Sequence, residues 1–499
     1  MKKVSKNLIW GITGQVLILA MGIILPKFIL TSFGSEINGI TATISQIFTY
    51  IALLEAGIGN ASINCLYKTL SNNDQNGTST VISATHKYFK KTIPVYIICI
   101  LIFAFVYPLC ITTEVAPITV RSIILLQGLS GIINFYFSNT YTQLLLADGR
   151  NYIISNLTLM VKSISTVLQI ILIMCGFDIV SVQFSFLCAY ILRAFILNVY
   201  VKKKYPWLKR IKNANTNILS QRYSFLIHEI SNVVFQSTDI FLISIFCSIK
   251  EASVYSIYNM VFAALSGLFA IVFKGIDFNL GIEYHRDKER YLLLHDTYET
   301  IYSCFVFSLI SAAYIVILPF ISLYTNGITD VNYIQPILPV LFALIQLLSC
   351  SRAIASKLIT IAGHARNTII NSLAEMIINI VSSIILVNFV GIAGVLLGTI
   401  VALLYRTVDI IVYANKKILN RSSLRALKTM ILNMLIFAGI AICSTKILKF
   451  NIQNYFDFFV YGFISLVISL ILFFGTHLLI DKNIRILFKT KIKKILNKP

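Results

Sequence analysis

The sequence predicts an all-α integral membrane protein of about fourteen transmembrane helices, on three observations. Its 499 residues are 57% hydrophobic and only 12% charged, with a mean hydropathy of +0.82. Soluble domains carry about a quarter charged residues, and a chain this apolar could not cover its own surface in water, which excludes a soluble enzyme. The apolar residues fall in blocks of roughly 20, long enough as helices to cross about 30 Å of hydrocarbon. Finally, the chain resembles itself at an offset of about 215 residues.

Taken in order, the predicted spans are 8–32, 39–66, 93–112, 119–146, 152–175, 178–201 and 222–247. They continue with 252–276, 298–324, 332–361, 367–389, 391–414, 427–447 and 456–480. Met1-Lys2-Lys3 precedes an apolar run that continues past Leu30 without a small-residue cleavage pattern, so this run reads as the first span rather than a signal peptide. The nine cysteines lie in or beside apolar blocks without CxxC or metal-like spacing and read as packing residues; no metal is expected.

The net charge of +22 has a topological cause, because cytoplasmic loops collect Lys and Arg. Lys2, Lys3 and Lys6, then Lys87, Lys90 and Lys91, then Lys202 to Lys204 with Lys209, Arg210 and Lys212 fall on one side. Arg286, Lys288 and Arg290, then Lys416, Lys417, Arg421 and Arg425, and the tail from Arg485 to Lys494 join them. That side holds about 32 basic residues against about 5 on the other, which places both termini in the cytoplasm and removes nucleic acid as a partner. Every outer gap is short. The larger inner gaps, of some 15 to 25 residues, are too small for a nucleotide-binding domain, and there is no Walker sequence.

The repeat divides the chain. Arg150-Asn151-Tyr152-Ile153-Ile154-Ser155-Asn156-Leu157 matches Arg366-Asn367-Thr368-Ile369-Ile370-Asn371-Ser372-Leu373 at five of eight positions. With a gap of three, Arg193 aligns with Arg406, Tyr200 with Tyr413, and Lys203-Lys204 with Lys416-Lys417. Helices 1 to 6 (residues 1–213) and 7 to 12 (214–420) thus read as two copies of one unit, with 421–499 adding two helices and a basic tail. Because six is even, both copies enter from the same side and are related by a pseudo-two-fold axis along the membrane normal. Two such lobes are expected to enclose a cavity that opens alternately to each face.

Polar stripes line three helices. His228, Asn232, Gln236 and Asp239 share an arc of about 80° on helix 7. Gln127, Ser130, Asn134, Ser138 and Tyr141 mark helix 4, and Thr41, Ser45, Thr49 and Glu55 mark helix 2. Interhelical hydrogen bonding would serve any one stripe; three together favour a hydrated cavity. Ionisable residues within spans cost at least about 2.5 kcal/mol each, so each should face the interior or a partner. Arg193 and Arg406 are expected to be structurally paired. Lys357 aligns with Tyr141 on the polar stripe and is expected to line the cavity, whereas Arg352 aligns with Tyr136 on another face. Lys27, just after Pro26, either lines the cavity or reaches the interface, and Lys162 or Glu375 would neutralise other buried charges. Such an interior suits an amphiphilic substrate with sugars and phosphate: cations compensate phosphate charge, amides and hydroxyls bond sugar hydroxyls, and Tyr141 and Phe235 cover sugar rings. GxSxG and HExxH are absent, and no catalysis and no cofactor are expected.

Three segments carry a family likeness: Phe33-Gly34-Ser35-Glu36-Ile37-Asn38-Gly39; Leu54-Glu55-Ala56-Gly57-Ile58-Gly59-Asn60-Ala61 with Leu66-Tyr67-Lys68; and Thr238-Asp239-Ile240-Phe241-Leu242-Ile243-Ser244 leading to Val254-Tyr255-Ser256-Ile257-Tyr258-Asn259. In order and spacing they resemble the Wzx-type oligosaccharide flippases of the MOP (MATE-like) superfamily, over roughly the first nine helices. Phe33 and Ala56 replace usual leucines, and Lys27 stands where many relatives have arginine, keeping charge but losing the bidentate fork. The resemblance implies alternating access in the cell membrane, with an undecaprenyl-diphosphate-linked oligosaccharide moved from inner to outer leaflet for capsule or O-antigen-like polysaccharide. Lys27, Asn134, Ser138, Tyr141, His228, Asn232, Gln236 and Lys357 are then the candidate cavity residues, and Glu55, Glu229 and Asp239 the candidates for H+ or Na+ coupling. Polysaccharide polymerase and chain-length machinery are the protein partners such a role would take. A cation-coupled multidrug exporter of the MATE group is the alternative, though it would favour twelve helices and a carboxylate-dominated cavity; a scaffold for glycan synthesis is a third reading.

Overall fold

The structure is a computed structural model that describes residues 2–211, 233, 237–446, 452–481 and 485. Every regular element among them is helical, and twelve helices are long and apolar enough to cross a membrane. Two of the fourteen predicted spans account for the difference. The first two are one stretch, α1 (Lys2–Ile51), only across a non-helical kink at Gly34, with the second predicted span running on into α2 (Leu53–Ser71). Most of the seventh lies outside the described residues, leaving its end as α8 (Ser237–Phe246).

The described chain forms two compact units, Met1–Ser256 with Gly327–Val331 and Ile257–Asn326 with Asn332–Pro499. The predicted lobe boundary at 213 lies outside the described residues.

In the first unit α1 contains Pro26 and breaks at Gly34, where φ is +80° and ψ −179°. L side chains avoid that region and glycine does not, so the break sits where the predicted first and second spans meet. Next come α2 (Leu53–Ser71), α3 (Gln75–Cys110), α4 (Pro117–Ile133), a π-helical turn (Asn134–Ser138), α5 (Asn139–Ala147), α6 (Asn151–Met174) and α7 (Ile179–Lys204). The N-terminus of α7 is capped by Asp178, whose carboxylate accepts from Ser181 Oγ at 2.6 Å and from Val180 N–H; the Ser181 bond first, and the backbone N–H second, hold its pKa below the usual carboxylate value. Two apolar clusters fill the unit. One gathers Ile40, Ile44, Phe89, Ile123, Phe135 and Val182, the other Leu66, Leu144, Leu145, Leu197 and Val201. At Gly131 of α4 an added Cβ would lie 1.9 Å from Tyr96 Oη of α3, so glycine there permits the close approach of the two helices.

Along the second unit run α9 (Ile249–Arg286, whose first residues to Ser256 belong to the first unit), α10 (Lys288–Tyr324), α11 (Ile337–Ser351) and α12 (Ala353–Ile361). Then follow α13 (Ile369–Val390), α14 (Ile392–Tyr413), α15 (Leu424–Lys446) and α16 (Tyr455–Ile480). The element lengths echo the internal repeat: α3 and α10 have 36 and 37 residues, α6 and α13 have 24 and 22. The fourth helix is interrupted in both copies, by the π turn at Asn134–Ser138 and by a break at Arg352.

Close packing of α13 on α14 depends on Gly394 and Gly398, where added Cβ atoms would lie 2.2 Å from Leu386 O and 2.4 Å from Ser383 Oγ. Asn379 Nδ2 donates to Thr399 Oγ1 at 2.8 Å and Ser383 Oγ to Val395 O at 3.1 Å across the same seam. Small residues and hydrogen bonds hold helices together where lipid offers no hydrophobic drive. Outside the repeat, α16 packs on α10 through the Phe307–Phe473 ring contact and α15 through Tyr314–Phe437, while the hydrogen bond between His477 Nε2 and Asn433 Oδ1 at 2.8 Å ties α16 to α15. At one end Asp296 pairs with Arg421 and Arg425, both at 2.6 Å, and Arg425 reaches Asp481 at 2.8 Å. Many large apolar side chains on the outer faces, such as Leu109, Phe195, Ile370, Phe389 and Phe456, are exposed, as lipid contact requires. The protein is a multi-pass membrane protein.

Candidate functional site

The interrupted fourth helices organise the polar interior of each unit. In the first, the π turn sets Asn134 so that its Oδ1 accepts from Arg193 Nη1 of α7 at 3.0 Å, while its Nδ2 donates to Asn139 Oδ1 at 3.2 Å. A π turn widens the helix by one residue and frees backbone for such arrangements. Ser138 is buried with no hydrogen-bond partner for its hydroxyl, and Tyr141 is half-buried one turn on. Asn139 carries no predicted role because a one-residue insertion in a helical register leaves no trace in apolar periodicity.

In the second unit α11 ends and α12 begins at Arg352, whose backbone stays in the helical region (φ −90°, ψ −6°). Arg352 and Lys357 both line one cavity of about 250 Å³, with Phe273, Ser349, Ser356 and Thr360. The expectation that Arg352 lies on a face away from Lys357 is not met, the long arginine side chain reaching the same cavity. Lys357 is half-buried in that cavity.

A charge network supports the cavity from behind. Glu375 of α13 pairs with Arg352 at 2.6 Å and with Arg406 of α14 at 3.4 Å. Arg406 also pairs with Asp409 and donates to Ser372 Oγ at 2.8 Å, and Asn371 Nδ2 donates to Asp409 Oδ1 at 2.7 Å. Two guanidinium groups thus share two carboxylates and their hydrogen bonds, which offsets the cost of placing charge in the span.

The third polar group lies in the first unit, where α8 meets α1. Ser237 Oγ bonds Gln46 Oε1 at 3.1 Å and Thr49 Oγ1 at 2.7 Å, and Tyr50 Oη bonds Thr238 Oγ1 at 2.6 Å. Asp239, next in line, is buried and hydrogen-bonded to the Tyr255 phenol. Toward the other end of this contact, Asn38 Nδ2 donates to Ser253 Oγ at 2.7 Å, and Glu36 pairs with Lys250 at 3.6 Å. Lys27 is half-buried, one residue past Pro26, with its carbonyl accepting from Thr31 Oγ1 at 2.9 Å.

Of the remaining predicted site residues, His228, Glu229, Asn232 and Gln236 lie outside the described residues, as does the side chain of Glu55. Among the described residues His295, Asp296 and Glu299 lie close enough to hold a metal ion, their ligand atoms within 4.8 Å of one another. Arg421 and Arg425 already offset the Asp296 charge there, so the group reads as a clamp on α15 and α16.

No family model and no curated protein matches the sequence. Solved structures do. The lipid II flippase MurJ in its inward closed conformation aligns with a TM-score of 0.69 at 14% identity, covering 94% of this chain and 98% of that one. An inward-facing multidrug resistance MATE family transporter of the MOP superfamily aligns at 0.63 and 12%, covering 87% and 98%. A MOP superfamily transporter from Pyrococcus furiosus, described as having a binding pocket of reversed polarity, aligns at 0.56 and 13%, covering 88% and 95%. At such identities the likeness speaks for architecture. With twelve membrane-length helices among the described residues and near-complete coverage, the chain has the fold of the MOP superfamily transporters.

Proposed function

We propose that this chain flips a polyprenyl-diphosphate-linked oligosaccharide from the cytoplasmic to the outer leaflet of the cell membrane by alternating access, for surface polysaccharide synthesis, with both termini in the cytoplasm. The observation that carries the reading is the pairing of Arg352 and Lys357 in one cavity. Glu375 and the Arg406 network fix the Arg352 guanidinium from behind, while Lys357 extends the positive face. Lys357 contributes charge and Arg352, whose own charge is shared with Glu375, contributes guanidinium donors, a combination that suits the oxygens of a diphosphate. Phe273 and the hydroxyls of Ser349, Ser356 and Thr360 in the same cavity are the groups that a sugar ring and its hydroxyls would use. Counted from Ile337, Arg352 lies roughly 22 Å along the span, in the half nearer the basic loops, where a substrate made in the cytoplasm would load.

A multidrug exporter of the MATE group is the second reading. Buried Asp239 favours it, as a carboxylate that could exchange a cation, and transporters of that kind share the fold. Purified protein in vesicles, given a fluorescent lipid-linked oligosaccharide, tests the two together. Movement that falls in Lys357→Ala at equal protein abundance supports the flippase; dye transport lost in Asp239→Asn with no movement of the lipid-linked sugar supports the exporter.

A further inference from the structure

The first unit carries a second opening, of about 120 Å³, between the early turns of α3, the start of α5 and the segment that follows α7. That segment is strapped down. Lys209 N–H donates to Ser79 Oγ at 3.3 Å, Ile211 N–H to Ser83 Oγ at 2.9 Å, and Tyr205 Oη to Asp148 Oδ2 at 2.6 Å. Burial and the neighbouring Asp148 push the Tyr205 phenol well above its usual pKa, so it stays a donor, and Arg150 completes the anchor on the same carboxylate. The strap thereby sets Lys209 and Arg210 against the opening, and neither makes an ion pair among the described residues.

Thr140 and His86 line the same opening. Thr140 is only 3% exposed, and neither its Oγ1 nor the buried His86 Nε2 has a hydrogen-bond partner. Leaving such groups unsatisfied is unfavourable. Among the described residues no carboxylate lines the opening, and the nearby Asp148 is committed to Arg150 and Tyr205. A water molecule would satisfy Thr140 and His86, and solvent reaches the exposed Lys209 and Arg210, but water adds no negative charge to balance the two cations. A tetrahedral oxyanion would do both. The volume holds about four waters, enough for one phosphate group and too little for a sugar chain.

We propose that this opening binds a phosphate group, with Lys209 and Arg210 compensating its charge and Thr140 and His86 bonding its oxygens. The chemistry is shared by free inorganic phosphate and by the phosphomonoester headgroup of a lipid. The site is separate from the Arg352 and Lys357 cavity and does not rest on what that cavity transports, so either proposal can fail alone.

The experiment uses the full chain in neutral detergent. Inorganic phosphate is titrated calorimetrically, and phosphatidic acid retention is counted by native mass spectrometry against phosphatidylcholine. The expected result is saturable binding that weakens about tenfold or more in Thr140→Val and in Lys209→Gln/Arg210→Gln, with Lys203→Gln, an exposed lysine outside the opening, unchanged. Binding of inorganic phosphate identifies the free anion as sufficient; retention of phosphatidic acid alone identifies the lipid headgroup. Because Thr140→Val removes an unpaired hydroxyl, its melting temperature without phosphate should not fall, which separates lost binding from lost folding. The proposal is overturned if neither probe binds, if binding survives in Thr140→Val and the double variant, or if Lys203→Gln weakens it equally.

Discussion

Asp330 grips Ser35 with both carboxylate oxygens: Oδ1 accepts from Ser35 Oγ at 2.6 Å and Oδ2 from the Ser35 N–H at 3.0 Å. The contact follows directly on Gly34, whose positive φ turns the Ser35 N–H out of the α1 ladder. One residue on, Glu36 accepts from Thr113 Oγ1 at 2.6 Å and pairs with Lys250. The break in α1 is therefore a docking point for three separate segments.

Gly34→Ala is expected to destabilise the protein by about 1–3 kcal/mol, the cost of holding an L side chain at positive φ with ψ near 180°, a region that essentially only glycine occupies. Asp330→Ala, which removes two bonds from a partly exposed carboxylate, should cost on the order of 1 kcal/mol. Thermal unfolding of the detergent-purified variants measures both, and an unchanged Gly34→Ala midpoint would mean that the break is not held in the native protein.

The α13–α14 seam leaves no room at Gly398, since a new Cβ would meet Ser383 Oγ at 2.4 Å and its backbone N at 2.5 Å. Gly398→Ala should therefore cost about 1–3 kcal/mol by overpacking, whereas Gly439→Ala, with open space at the same test, should be neutral or better. Equal midpoints for the two variants would contradict the packing described.

Glu375→Gln leaves Arg352 and Arg406 sharing less negative charge inside the span and should cost about 3 kcal/mol. If the loss comes from an uncompensated charge, adding Arg352→Met should recover part of it. A double-mutant cycle on unfolding free energies reads the coupling, and simple additivity would show that the two groups do not interact.

Asp296→Asn should loosen α15 and α16 before the rest of the second unit, because Asp296 is held by Arg421 and Arg425 together. Hydrogen exchange at α15 would rise ahead of exchange at α13 and α14. Uniform acceleration across the unit would argue against a local clamp.

Much of this architecture could be read from apolar block lengths, and the Arg150-Asn151 and Arg366-Asn367 match located equivalent turns before α6 and α13. Glu375 as a neutraliser was legible too, since a carboxylate that deep in a span needs a cation. What escaped was helical phase. The π turn at Asn134 shifts which residues share a face, so Asn139 escapes a continuous 100° wheel, and that wheel also sets Arg352 on a different face from Lys357 although both line one cavity. Lys209 and Arg210 were assigned to topology alone because a loop cation looks the same in sequence whether solvated or strapped over an opening.

The central claim is tested most directly by following a lipid-linked oligosaccharide across vesicles that contain only this protein. The account predicts movement of that lipid, slowed about tenfold or more in Arg352→Gln/Lys357→Gln at matched abundance of folded protein, which corresponds to about 1.4 kcal/mol or more. Well-folded wild-type protein that moves no such lipid, or a double variant that moves it at the wild-type rate, would contradict it.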